Sequence, residues 1–156
     1  MDTPKRLILG YLPNSNCNLK CPYCYISQLN QWEAHDGNFK FSAAHMSKCL
    51  SPDRLGGICL INLTAQGETL LYKEIVDLVR GILEQGHYIE LVTNATVTKR
   101  IDEILALPDE LVARLEFKIS FHYDELVRRD MLARFTDNVK KILNSPASFT
   151  LELMPY

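Results

Sequence analysis

Cys17, Cys21 and Cys24 stand in the run Cys17-Asn18-Leu19-Lys20-Cys21-Pro22-Tyr23-Cys24, the stretch of the chain best equipped for chemistry. Three thiolates within eight residues can each hold one iron of a [4Fe–4S] cube and leave the fourth iron without a protein ligand. An iron left open in this way can bind a small molecule and pass it an electron, whereas a pure electron carrier supplies four cysteines. Asn18 and Lys20 suit a loop that wraps a cluster, and Pro22 stiffens the backbone between the second and third ligands. The alternative is a zinc site completed by His35, His45, His87 or His122. Structural zinc sites show paired C-x2-C hooks, or a C-x2-C with a later His-x3-His, and neither pattern is present. The triplet therefore favours the cluster. Cys49, expected in a helix, and Cys59, expected in a buried strand, read as small core residues and not as ligands.

The elements that must position these thiols alternate between strand and helix. Residues 6–12 form a short apolar run stopped by Pro13-Asn14, and a long polar segment with the cysteines follows. Residues 27–42 show no clear periodicity; Trp32, His35 and Gly37-Asn38 suit a surface loop that touches a substrate. A short helix is expected over 43–50. Residues 57–63 are nearly continuous in apolar side chains, the pattern of a parallel strand buried on both faces. A helix follows over 70–85, with Leu71, Ile75, Val79 and Ile82 on one face and Gly86 as its stop. Residues 88–93 read as the third strand, 98–107 as a helix ended by Pro108, and 114–121 as the fourth strand. One long helix over 125–144 and a fifth strand over 148–154 complete the pattern. Such alternation predicts an α/β fold with a parallel sheet, in one domain spanning 1–156.

Composition narrows the function classes. Of the 156 residues, 47% are hydrophobic and 23% charged, an ordinary balance for a folded domain. The net charge of −2 gives no electrostatic case for nucleic acid. No export signal opens the chain, since residues 1–6 are polar and the apolar run after them is short. No run of residues approaches the ~18 apolar positions that span a bilayer. Three crowded cysteines among five, without an export signal, fit metal ligation in a reducing cytoplasm better than a disulfide framework.

In parallel α/β folds, ligands bind beyond the carboxyl ends of the strands. Here those ends read Gln66-Gly67-Glu68, Thr93-Asn94, Ser120-Phe121-His122 and Met154, beside the cysteine loop after the first strand. Each has a plainer reading. Glu68 suits a helix start, Thr93-Asn94 a simple turn, and His122 a structural role. Their coincidence at one edge of the sheet is the stronger signal, expected if all of them line one pocket.

At this point the chain resembles the radical S-adenosylmethionine (radical SAM) superfamily over nearly its whole length. That family carries a C-x3-C-x2-C loop after the first strand with an aromatic before the third cysteine, here Tyr23. The resemblance implies that Gln66-Gly67-Glu68 stands for the Gly-Gly-Glu-like motif that receives the amino group of SAM. It likewise implies Ser120 and His122 near the ribose and carboxylate, Asn94 near the methionine carboxylate, and Leu153 or Met154 near the adenine. One electron from the cluster would then break a carbon–sulfur bond of SAM, and the resulting 5′-deoxyadenosyl radical would take a hydrogen from a substrate.

The run Asn18 to Tyr25 is most similar to members that modify peptides or proteins, with glycyl-radical activating enzymes as the nearest alternative. A non-catalytic metal- or partner-binding module is the alternative of another class. The resemblance also implies an electron donor such as flavodoxin or ferredoxin. Family barrels have six βα units and five are counted here. The expectation is a partial (β/α) barrel with an open edge at its fifth strand. Such a chain is a fragment of a longer enzyme, has a partner on the edge, or is naturally short.

Overall fold

The computed structural model describes residues 3–32 and 39–154, so His35, Gly37 and Asn38 lie outside the described residues. Five strands, β1 (Leu7–Leu12), β2 (Leu60–Ala65), β3 (Tyr88–Thr93), β4 (Leu115–Phe121) and β5 (Ser148–Leu153), pair in parallel in the order β1-β2-β3-β4-β5. Each strand lies beside its predecessor in the chain, and helices fill the crossovers. The result is an open, partial (β/α) barrel in the α/β class.

Alternation along β3 and β4 shows how the sheet is held. Ile89 and Leu91 of β3 and Leu115, Phe117 and Ile119 of β4 are essentially inaccessible and pair across the ladder as Ile89–Leu115 and Leu91–Phe117. Helix α4 (Ile75–Glu84) buries Ile75, Leu78, Val79, Ile82 and Leu83, and α5 (Thr98–Leu105) buries Ile101 and Ile104. These side chains belong to one core with the strands. The other faces of β2–β4 carry Asn62, Glu90, Glu116, Lys118 and Ser120. Asn62 donates to Glu90 there, and Lys118 lies 3.2 Å from Glu152 of β5. β5 is an edge strand, with Leu151 50% and Leu153 63% exposed, as the incomplete barrel requires.

Several boundaries differ from the sequence reading for identifiable reasons. β2 starts at Leu60, not at residue 57, because the Cys59 N–H is taken by His87 Nδ1 at 3.0 Å before the ladder begins. The helix expected from residue 70 starts at Ile75. Residues Thr69–Leu71 form a 3-10 turn instead, begun by Glu68, whose side chain accepts from Leu70 N. The long helix over 125–144 is two, α7 (Tyr123–Arg128) and α8 (Leu132–Leu143). Asp130 between them adopts a left-handed conformation (φ 53°) that no continuous helix accommodates. Short helices α1 (Tyr25–Leu29), α3 (Pro52–Leu55) and α6 (Asp109–Val112) occupy segments where none was expected, and α2 spans Ala43–Cys49. Cys49 is not a core residue: it is half-buried at the end of α2, 3.5 Å from His45 Nε2. Cys59 is fully buried, just ahead of β2.

Candidate active site at the carboxyl edge of the sheet

Beyond the carboxyl ends of β1–β4 lies a cavity of about 140 Å³. Cys17, Cys21 and Cys24 line it, and so do Gln66, Gly67, Glu68, Asn94, Ser120 and His122. Residues from the ends of three strands, β2, β3 and β4, thus meet the cysteine loop that follows β1. Tyr23 sits one step back, its hydroxyl 2.5 Å from His122 Nδ1 and its ring stacked on the imidazole. Burial lowers the His122 pKa, so the imidazole is neutral near pH 7 and one of its nitrogens can accept. Met154 is different: its N–H donates to Phe121 O, and its side chain does not line the cavity. Trp32 does line it, with Lys20 Nζ 3.4 Å above its ring centroid, a cation–π contact.

The β2 loop is fastened directly to the cysteine loop. Gly67 N donates to Asn14 O and Glu68 N to Asn16 O, each at 2.8 Å, and Asn14 Nδ2 donates back to Glu68 O at 3.1 Å. Glu68 is 2% exposed. Its Oε1 accepts from Thr93 Oγ1 at 2.6 Å and Leu70 N at 3.0 Å, and its Oε2 from Asn94 N at 2.8 Å. Burial raises the Glu68 pKa against these three hydrogen bonds. The helix-start reading of Glu68 and its place in the pocket are therefore both present: one carboxylate ties β2 to the end of β3. Asn138 of α8 steadies the same corner by donating to Ala95 O at 2.9 Å, where Ala95 holds a left-handed φ of 55°.

Glu125 was not read from the sequence as part of the site. Its side chain is 1% exposed and accepts the Lys20 N–H at 2.7 Å, between the first two cysteines. Arg128 and Arg129, one turn on, both pair with it, and Arg128 Nη2 also donates to Lys20 O at 3.3 Å. The Glu-x-x-Arg-Arg spacing was visible as an ordinary helical ion-pair pattern. Its grip on a loop more than 100 residues away was not.

Burial alone would raise the Glu125 pKa, but Arg129, Arg128 and the Lys20 amide together hold it below the usual carboxylate value. A depressed carboxylate contributes stability that is complete above its unfolded pKa of about 4.3 and is lost as pH falls through the lower folded value. Acid titration of stability by circular dichroism is expected to show such a loss below about pH 4. Glu125→Gln should flatten that part of the curve; an identical slope in the variant would contradict the clamp.

Three cysteine thiols share one cavity with backbone and side-chain polar groups, a donor set of the kind a cluster and SAM would need, although among the described residues no three His, Cys, Asp or Glu side chains are grouped so as to hold a single metal ion. Gln66 Oε1 is a buried acceptor with no hydrogen-bond partner among the described residues, as an incoming donor would require. Gly67 makes the close approach possible, since a Cβ there would meet Asn16 O at 2.1 Å.

No family model matches the chain. It is 31% identical over 137 residues to PqqA peptide cyclase of Rhodopseudomonas palustris, an alignment covering 88% of this chain and 34% of that one. Its fold matches Streptococcus suis SuiB bound to the precursor peptide SuiA (TM-score 0.64, 17% identity, covering 97% of this chain and 33% of that one). It also matches BtrN in complex with AdoMet and 2-DOIA (TM-score 0.54, 17% identity, covering 97% and 57%). The fold defined by these likenesses is that of the radical SAM core. With its cysteine loop and its peptide-cyclase relative, the chain belongs to the radical SAM superfamily. It spans about a third of the length of PqqA peptide cyclase and of SuiB. Among the described residues, no helix is long and apolar enough to cross a membrane.

Proposed function

We propose that the chain is the core domain of a radical SAM enzyme acting on a peptide or protein. The observation that carries this is the convergence of Cys17, Cys21 and Cys24 with the polar ends of β2, β3 and β4 on one cavity. In this reading the three thiolates hold a [4Fe–4S] cluster, and Gln66, Gly67, Glu68, Ser120 and His122 face SAM. Tyr23 orients His122, and the backbone at the end of β5, Leu153 or Met154, would meet the adenine. A cluster bound there supplies one electron for reductive cleavage of SAM. The chain's own part is to orient SAM, through the unpartnered Gln66 carbonyl and the strand-end side chains that line the cavity. Reduced flavodoxin or ferredoxin would deliver the electron, in the cytoplasm. The peptide assignment is supported by the relative named for cyclising PqqA and by the SuiB–SuiA likeness, which favour it over glycyl-radical activation.

The other class of reading is a zinc module. His87 offers nothing to it, since its Nδ1 accepts from Cys59 N and its Nε2 is bonded to Leu50 O at 2.5 Å. His45 is stacked on Phe41 beside Cys49. His122 is the described histidine that lines the cavity.

Anaerobic reconstitution followed by SAM and dithionite tests the proposal. About four irons and four sulfides per chain and 5′-deoxyadenosine formation are expected. One tightly bound zinc without turnover would refute it. Glu68→Ala should retain the cluster and weaken SAM binding about 10–100-fold by calorimetry, since it removes a carboxylate that lines the cavity and fixes the β2 loop against the end of β3. Unchanged affinity would make the Gly67-Glu68 turn structural only.

A further inference from the structure

Asn94 closes β3 at the cavity wall and is 4% exposed. A role on the SAM carboxylate would require a donor to spare. An Asn side chain has two N–H donors and one oxygen with two lone pairs. One Nδ2 hydrogen goes to Asn18 Oδ1 at 3.0 Å and the other to Cys17 Sγ at 3.8 Å. Oδ1 accepts from Thr96 N at 3.0 Å and Thr96 Oγ1 at 2.6 Å. Every position of the amide is filled from within the chain. Turning it over is also blocked, because its nitrogen would then face the Thr96 N–H and its oxygen the Asn18 oxygen. Thr96 is held in turn by Asn18 Nδ2 at 2.6 Å, and the Asn94 backbone by Glu68 Oε2 at 2.8 Å.

Cys17 Sγ consequently receives two N–H groups, from Asn94 Nδ2 and from Leu19 N at 3.4 Å. Hydrogen bonds to ligating sulfur disperse its negative charge and favour the more electron-rich oxidation level of a cluster, raising its reduction potential. We propose that Asn94 does not bind SAM but acts through Cys17, as the side-chain donor that sets how readily the cluster is reduced. The inference rests on the cluster reading given above.

The test uses the full chain, reconstituted anaerobically and titrated with redox mediators under electron paramagnetic resonance, with SAM affinity measured separately by calorimetry. At the potential where the wild type is half reduced, Asn94→Ala is expected to show a reduced-to-oxidised ratio about tenfold lower, a shift of about 59 mV for one electron. Its SAM affinity should stay within about twofold of wild type. Thr96→Val, which loosens the amide without removing it, should shift the potential in the same direction by less. A fall in SAM affinity at unchanged potential would overturn the inference and return Asn94 to the SAM carboxylate. Unchanged potential and affinity would overturn it too. So would loss of the cluster in both variants, because the inference assigns Asn94 a tuning role and not an assembling one. Failure of the wild type itself to take up iron and sulfide removes the cluster reading, and the inference with it, before any variant is compared.

Discussion

Cys17→Ala, Cys21→Ala and Cys24→Ala are each expected to lower iron retention after anaerobic reconstitution by at least about tenfold, measured as iron and sulfide per folded chain. The three sulfurs share one cavity, and without any one of them the remaining pair cannot hold a cube at three corners. Burial, with Glu68 nearby, pushes the Cys17 thiol up to about 12, and burial also raises Cys21. The metal's own charge must therefore displace these protons, so binding cannot persist on weakened ligation. Cys49→Ala and Cys59→Ala should leave the iron content unchanged. Cys59 is buried before β2, its Sγ directed to Gly57 O, and Cys49 lies beside His45 on α2. Loss of iron in Cys49→Ala would show the ligand set to be wrong.

Gly67→Ala is expected to be nearly as damaging, although it removes no polar group. The added methyl would lie 2.1 Å from Asn16 O, 2.5 Å from Asn16 C and 2.7 Å from Ser15 C. All three are backbone atoms of the cysteine loop and cannot swing aside as a side chain can. The loops must separate, breaking the Gly67 N–Asn14 O and Glu68 N–Asn16 O hydrogen bonds and moving Glu68 from Thr93 and Asn94. Overpacking of this kind costs about 3 kcal/mol. Urea denaturation should show that loss in stability, and calorimetry a SAM affinity at least about tenfold weaker. A Gly67→Ala protein with wild-type stability would mean that the two loops are not in contact as described.

The cysteine triplet, the alternation of strands and helices and the polar strand ends were legible because each is a local pattern with a fixed period or spacing. β3 matches its expected span residue for residue, since Ile89 and Leu91 alternate cleanly with half-buried neighbours. The break at Asp130 was not legible, because Leu132, Phe135, Val139 and Ile142 keep helical spacing and hide the left-handed residue before them. Nor was the start of β2, which depends on His87 capturing an amide 28 residues away. The site shows the same division. Its residue types could be named, but their partners could not: that Asn94 turns to Cys17, or that Glu125 grips the cysteine loop, follows only from the packed positions of distant segments.

Mössbauer spectroscopy of protein reconstituted with iron-57, with and without SAM, is the most direct test of a three-cysteine cluster with one open iron. Addition of SAM should alter one iron site in four and leave the other three unchanged. Four irons that ignore SAM, or a single mononuclear centre, would contradict the account.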